Sequence, residues 1–282
     1  MACGGRFWVD LAKGSYRKLR HINYDFLSQW SWLHKLFTAC FNWFRAGCVL
    51  YVDVDAGEWK YTTESALRKP GPNTTRLAVV SDTHLYHRQV WIPAGDVLIH
   101  AGDCLAEWGN GVKELEDFAA WLHALPHREK LVTGGNHDKA FEDLGPERMA
   151  QILAPCGVRY LHPDLCASRD AGGLVVAGCP WSIRVNPMSV NRAFQPTADD
   201  ERLSIPPPHC DVLVTHGPSM ASPVWHANVR DRRPRLHLFG HEHDKYGVNF
   251  EDGMVQVNAA LCNDFFCAVR RPVVVDILRS RQ

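Results

Sequence analysis

A chain of 282 residues with 46% hydrophobic content can bury one large core or fold as two small domains. Its 31 basic residues balance 31 acidic ones, so no net field gathers a polyanion. That argues against a nucleic-acid polymer as the partner and leaves a single small phosphate ligand open. The 10 cysteines are scattered without a Cys-x-x-Cys pair, and residues 1–10 lack an apolar signal core, so reduced thiols in a cytoplasmic protein are expected.

Residues 1–72 read as an N-terminal extension, and residues 73–282 as the domain that carries the chemistry. Trp8, Trp30, Trp32, Trp43 and Trp59 make the extension Trp-rich. Residues 30–44 are apolar and read as a helix, but His34 and Lys35 interrupt the run and Arg45 closes it, which rules out a membrane span. Packing on the domain is the preferred reading, and an interfacial helix on a membrane is the second. The alternation Tyr51-Val52-Asp53-Val54 predicts a short strand. Lys69-Pro70-Gly71-Pro72-Asn73 reads as a linker.

From Arg76 the pattern is α/β. The run Leu77-Ala78-Val79-Val80 predicts a buried strand and ends in Ser81-Asp82-Thr83-His84. Val97-Leu98-Ile99 ends in His100-Ala101-Gly102-Asp103. Leu115, Phe118, Ala119 and Leu122 recur at helical spacing over 112–125, and Pro126 stops that helix. Leu131-Val132-Thr133 leads into the turn Gly135-Asn136-His137-Asp138. A weaker helix is read over 147–153, with strands at 158–161 and 174–177. Residues 182–210 are Pro-rich and irregular, read as a loop over the site. Val212-Leu213-Val214 leads to Thr215-His216-Gly217-Pro218, and Leu236-His237-Leu238-Phe239 to Gly240-His241-Glu242-His243. The remaining strands are read as antiparallel, with Asp252-Gly253 as a hairpin turn.

Five strand ends thus deliver Asp82 and His84, then Asp103, then Asn136 and His137, then His216, then His241 and His243. In α/β sheets ligands sit in the crevice at strand ends. Imidazoles and carboxylates without thiolates suit a catalytic cation better than a structural zinc. One Asp-x-His pair is an ordinary polar loop; five consecutive loops ending in metal donors are not.

These blocks resemble the calcineurin-like metallophosphoesterase superfamily, whose signature is Asp-x-His, Gly-Asp, Gly-Asn-His-Asp/Glu, a lone His and Gly-His-x-His. Within it the chain is most similar to the metallophosphoesterase-domain-containing small phosphodiesterases, through Val97–Asp103, Trp121-Leu122, Thr215–Pro218 and Arg235–His241. The resemblance covers residues 76–278. It implies a two-sheet β-sandwich flanked by helices, with the N-terminal extension outside it. It also implies two divalent metal ions, with Mn favoured over Fe, Zn or Mg. Asp82, His84 and His243 would hold one, Asn136, His216 and His241 the other, and Asp103 would bridge them. The implied reaction is attack of a metal-bridging hydroxide on a small, cyclic nucleotide-like phosphodiester, with His137 serving the leaving oxygen.

Asp138 has two readings: a partner that keeps the His137 imidazole protonated, or a carboxylate that caps the turn. Trp181 could stack on a substrate ring or pack, and His87 and Arg88 could touch substrate or lie in a solvated loop. His100 is read as a core histidine, Cys104 as a small buried residue, and Arg230, Arg232, Arg233 and Arg235 as a solvated helix end. Gly102-Asp103-Cys104-Leu105-Ala106-Glu107 lacks the Asp-Arg-Gly of Ser/Thr protein phosphatases and the Tyr of purple acid phosphatases. Only 39 residues follow His243, too few for the cap of a repair nuclease. A non-catalytic scaffold of the same fold and a phosphomonoesterase are the alternatives. The oligomeric state is not set by the sequence.

Overall fold

The computed structural model describes Cys40 and residues 46–106, 112–165, 167–184, 191–197, 200–205 and 207–279. The helix read over 30–44 otherwise lies outside the described residues. Among these, no helix is long and apolar enough to cross a membrane.

The strands are β1 (Cys48–Asp53), β2 (Glu58–Thr63), β3 (Thr74–Val80), β4 (Val97–His100), β5 (Glu129–Val132), β6 (Arg159–Tyr160) and β7 (Ser168–Ala171). They continue with β8 (Leu174–Cys179), β9 (Val212–Thr215), β10 (Leu236–Phe239), β11 (Gly247–Glu251), β12 (Met254–Asn258) and β13 (Val273–Leu278). The helices are α1 (Val112–Ala124), α2 (Lys139–Leu144), α3 (Pro146–Leu153) and α4 (Pro223–Arg232). Two sheets form, in the orders β2-β1-β13-β3-β4-β5-β6 and β11-β12-β10-β9-β8-β7.

The apolar runs are continuous because most central strands are buried on both faces. Leu77, Val79, Ile99 and Leu131 meet Val214, Leu238 and Val257 between the sheets. Their neighbours Ala78, Val80, Leu98 and Val132 turn outward onto Leu115, Phe118 and Leu122 of α1. On the other outer face, Ala177 and Leu213 pack against Trp225 and Val229 of α4. Each fully buried aliphatic side chain contributes about 1.5–3 kcal/mol relative to exposure.

Strands β3 to β6 run parallel in one sheet, and β8, β9, β10 and β12 run parallel in the other. A parallel bridge from Ser81 to Ala260 ties the two sheets together just past β3 and β12. All five polar strand ends therefore open into one crevice at one end of the sandwich.

The boundary expected at residue 72 is corrected. β1 pairs in parallel with β13 and antiparallel with β2, so residues 48–63 belong to the first sheet. Residues 64–73 connect two strands of that sheet and are not an interdomain linker. The cause is that β13 needs a second neighbour: Asp276 accepts from Tyr51 Oη at 3.0 Å and pairs with Arg76 at 2.7 Å, locking β1, β13 and β3 together.

The Asp252-Gly253 turn is as read, with φ of 51° and 81°, joining antiparallel β11 and β12. The antiparallel expectation for the C-terminal strands holds for β11 against β12 and for β13 against β3, while β12 also lies parallel to β10 and β13 parallel to β1. Helix α4 is absent from the hydrophobic pattern, although a capping signal is present. Ser222 caps it, accepting from Trp225 N at 3.4 Å, and Pro223 opens it. Its last turn and cap hold Arg230, Arg232 and Arg233, as expected from the sequence, whereas Arg235 lies past the helix and pairs with Asp55 at 2.6 Å.

Candidate metal centre

The donors converge because the backbone reverses just past each strand. Asp82, His84, Asp103 and His241 all have left-handed φ, at 53°, 40°, 55° and 66°. In an extended chain Asp82 and His84 would leave one face together only by keeping the strand straight; here the reversal turns both into the crevice. Such residues cost about 1–3 kcal/mol each and persist where surrounding bonds hold them. Asp82 N donates to Gly102 O at 3.0 Å, and His84 N to Asp103 O at 3.1 Å. Gly102, at φ +94°, has no room for a side chain: a Cβ would stand 2.5 Å from Gly134 O and 2.6 Å from His216 Nδ1. At Gly240 a Cβ would collide with the side chains of Asp82 and Ser81.

Two groups of donors share the crevice. In the first, His243 Nε2 lies 3.2 Å from Asp82 Oδ1 and 3.3 Å from His84 Nε2. In the second, Asn136 Oδ1 lies 2.8 Å from His241 Nδ1 and 3.0 Å from His216 Nε2, and Asp103 Oδ2 is 3.2 Å from His216 Nε2. Asp103 also stands 3.9 Å from His84 Nε2, so it lies between the groups.

The tautomers follow from the outer contacts. Nδ1 of His84, His216 and His243 faces the carbonyls of Leu105, Ala101 and Asn263 at 3.3, 2.9 and 3.0 Å. Each Nδ1 must carry the hydrogen, so each Nε2 lone pair points inward. Two such lone pairs 3.3 Å apart, and a third against an amide oxygen and a carboxylate, repel one another unless a cation or a proton sits among them. The residues present therefore fit divalent cations, and Asp82, His84, His243 and Asp103, His216, His241 each bring three donors within 4.8 Å of one another.

Electrostatics agree at Asp103, His84 and His241; at His216 and His243, where burial is outweighed by Asp103 and Asp82, the raised imidazole holds the proton that a cation would displace. Burial alone would raise Asp103, but the imidazoles of His216 and His137 hold it well below the usual carboxylate range. Burial, helped by neighbouring imidazoles, pushes His84 and His241 down to about 3, leaving them neutral and able to ligate. Burial also opposes charge on His216, but Asp103 overcomes it and raises that imidazole to about 9.

Residues 75–245, more than half of the chain, match the model of the calcineurin-like phosphoesterase family. The human metallophosphoesterase domain-containing protein 1 is 31% identical over 249 residues, covering 74% of this chain and 73% of that protein. A UPF0046 protein of Caenorhabditis elegans is 31% identical over 238 residues, covering 73% of this chain and 82% of that one. The chain belongs to the calcineurin-like phosphoesterase family. Among solved structures, the phosphopantetheinyl hydrolase of Mycobacterium tuberculosis superposes with a TM-score of 0.47 at 14% identity, over 75% of this chain and 99% of that one. Calcineurin-like phosphoesterases are metal-dependent phosphoester hydrolases, and the sandwich described above is their two-sheet architecture.

In this calcineurin-like phosphoesterase the other residues singled out from the sequence fall into three places. His137 is in the crevice: its Nε2 is 3.9 Å from Asp103 Oδ2 and 3.1 Å from Asn191 Nδ2, while its backbone N donates to Asp103 Oδ1 at 2.8 Å. Asp138 does not reach the His137 imidazole. It accepts from the backbone N–H groups of Asp103, Leu105 and Gly135 at 2.8, 2.9 and 2.8 Å, so it caps the turn and ties it to the Asp103 loop. Of the two readings of Asp138, the link to the imidazole is corrected and the turn cap is the one these bonds support, because three buried N–H groups claim both carboxylate oxygens. Burial and the nearby Asp103 push Asp138 up to about 7, against which the three donors favour its charged form.

Trp181, His87 and Arg88 make their contacts with residues other than the donors. Trp181 meets Trp225 edge-on at 5.8 Å, with the Arg202 guanidinium 5.9 Å over its ring. His87 is buried against Phe118 and Trp121, and its Nε2 is 2.9 Å from Asp117, which Arg88 also holds at 2.7 Å. These two side chains serve to fasten the loop after the first motif onto α1. His100 is a core histidine, bonded to Thr83 Oγ1 at 2.9 Å. His237 makes the matching bond to Thr215 Oγ1 at 2.8 Å, so each buried histidine braces the threonine beside a proposed ligand. Asn191, Asn263 and Phe266 carry no signal in the sequence that marks them as site residues. Asn191 lies 54 residues from His137, and nothing local points to it.

Replacing Asp138 by Ala would strand three buried N–H donors, at about 1–3 kcal/mol each. The expected result is a loss of about 3 kcal/mol or more in denaturant unfolding, with lower retained metal by elemental analysis. A variant as stable as the parent would show that the Asp103 loop holds itself.

Proposed function

We propose that this chain hydrolyses small phosphodiesters, with cyclic nucleotides as the substrate type, by means of two divalent cations, manganese preferred. The supporting observation is the pair of donor groups that meet at Asp103 with their lone pairs facing each other. Asp82, His84 and His243 would hold one cation, Asn136, His216 and His241 the other, and Asp103 both. The cations supply an activated water and neutralise charge on the phosphoryl oxygens.

The chain's own residues do the rest. Asp103 keeps its negative charge in a buried site and offers it to both donor groups. His137, beside Asp103 and hydrogen-bonded by Asn191, is assigned to the leaving oxygen rather than to a metal, although with His84 and Asp103 it forms a third group within ligating reach. Proton donation matters most when the departing oxygen is a basic alkoxide, which favours a ribose ester over an activated aryl ester. The described cysteines are all free, which supports a cytoplasmic setting.

A screen of metal-reconstituted protein against 2′,3′- and 3′,5′-cyclic nucleotides, phosphomonoesters and nucleic acid tests this reading. Cyclic nucleotides are expected to be turned over with the highest kcat/KM. A preference for monoesters would make the chain a phosphomonoesterase, and metal binding without any turnover would make it a scaffold.

A further inference from the structure

Among the described residues, an aromatic ring that the mechanism does not use stands beside the donors. Phe266 meets three imidazoles of the crevice edge-on, with centroids 4.8 Å from His84, 5.3 Å from His243 and 5.5 Å from His137. It is half-buried. Its φ is +56°, which a bulky residue rarely adopts and which marks a position fixed by its surroundings.

The loop that carries it explains the conformation. Asn263 N donates to Cys267 O at 2.9 Å, and Asn263 Oδ1 accepts from Phe265 N and Cys267 N, both at 3.0 Å. Asn263 O accepts from Phe266 N at 2.8 Å and faces His243 Nδ1 at 3.0 Å. Arg270 clamps the base of the loop through Cys262 O. One asparagine therefore orients a proposed ligand and forces the Phe266 ring against that ligand's group. A loop needed only to hold His243 could place Phe266 in the core or in solvent and avoid the backbone strain.

We propose that Phe266 is a specificity-determining residue, an apolar wall that receives a flat aromatic substituent, such as a nucleobase or an aryl group, carried by a phosphoester bound at the donor crevice. The inference rests on the phosphoester reading above and narrows its substrate class. A half-buried ring beside the donors can pair with a second ring at offset or edge-on distance, and it can do so with any base because every base has an apolar face. Trp181, the ring that the sequence offered for this task, meets Trp225 and Arg202, whereas Phe266 meets the donor imidazoles themselves.

The test is binding of inert phosphonates to the metal-loaded protein at alkaline pH, where both probes are dianions. Phenylphosphonate and methylphosphonate share the head group and differ in the ring. The full chain is expected to bind the phenyl compound on the order of tenfold more tightly. Phe266→Ala and Phe266→Leu should bring the two affinities within about twofold, and Phe266→Tyr should restore the difference, all three with metal content unchanged. The leucine variant keeps apolar bulk, so it separates loss of the ring from loss of packing should the alanine variant fold poorly. Equal affinities in the parent, or a phenyl preference that survives Phe266→Leu, would overturn the role of Phe266 while leaving the phosphoester reading in place. Failure of both phosphonates to bind metal-loaded protein would instead remove the phosphoester reading, and this inference with it.

Discussion

Replacing Asp103 by Asn is expected to remove nearly all phosphodiester turnover, on the order of 10³-fold or more, from a protein that still folds. Asp103 is the donor placed between the two groups, 3.2 Å from His216 and 3.9 Å from His84. Two cations in one crevice repel unless an anion lies between them, and an amide of the same shape carries no charge. The fold should survive because the amide oxygen of Asn can still accept from His137 N, Asp103 N still donates to Asp138, and Asp103 O still accepts from His84 N. The variant should also hold less metal. The checks are kcat on bis(p-nitrophenyl) phosphate, elemental analysis and circular dichroism. A parental rate in this variant, or in chelated protein, would defeat the two-cation reading.

The His137→Ala variant should separate proton donation from metal binding. Its expected signature is full metal content with a rate loss of ~10²–10⁴-fold on a cyclic nucleotide and a much smaller loss on bis(p-nitrophenyl) phosphate. The reason is the basicity of the departing oxygen: a ribose alkoxide needs a proton and a nitrophenolate does not. The geometry makes the experiment informative, because His137 could also ligate with His84 and Asp103. Loss of a metal would make it a ligand. Equal slowing of both substrates with metals in place would point to electrostatic or positional help. Asn191→Ala, which removes the 3.1 Å contact to His137 Nε2, should give a milder version of the same split if Asn191 holds the ring in place.

Much of the crevice is legible in the amino-acid sequence. Each apolar run ends abruptly in donors, and runs buried on both faces fit parallel strands, whose ends gather on one side of the sheets. That logic brings Asp82, His84, Asp103, Asn136, His216, His241 and His243 to one place, because strand ends obey a short-range pattern of a few apolar residues followed by polar ones. The helix over 112–124 is readable for the same reason, as its buried face recurs at helical spacing.

What the pattern does not carry is anything fixed by contacts distant in the chain. Residues 48–63 look like part of an extension because a Pro-Gly-Pro segment separates them from the next strand, and only the pairing of β1 with β13, more than 200 residues away, assigns them to the sheet. Asp138 is adjacent to His137 in sequence, yet its carboxylate turns toward the N–H groups of Asp103 and Leu105, since unpaired buried donors outweigh proximity. Trp181 follows a strand end as a stacking ring would, but α4 brings Trp225 against it. Phe266 lies in a loop with no local signature and reaches His84 only because the Ser81–Ala260 bridge joins the sheets beneath the crevice. The sequence by itself determined which donors this protein owns and at which strand ends they stand, because residue type and hydrophobic period are local properties. The tertiary structure alone decided which nitrogen of each imidazole faces inward and which ring borders the donors, because those depend on hydrogen bonds and packing between segments that meet only after folding.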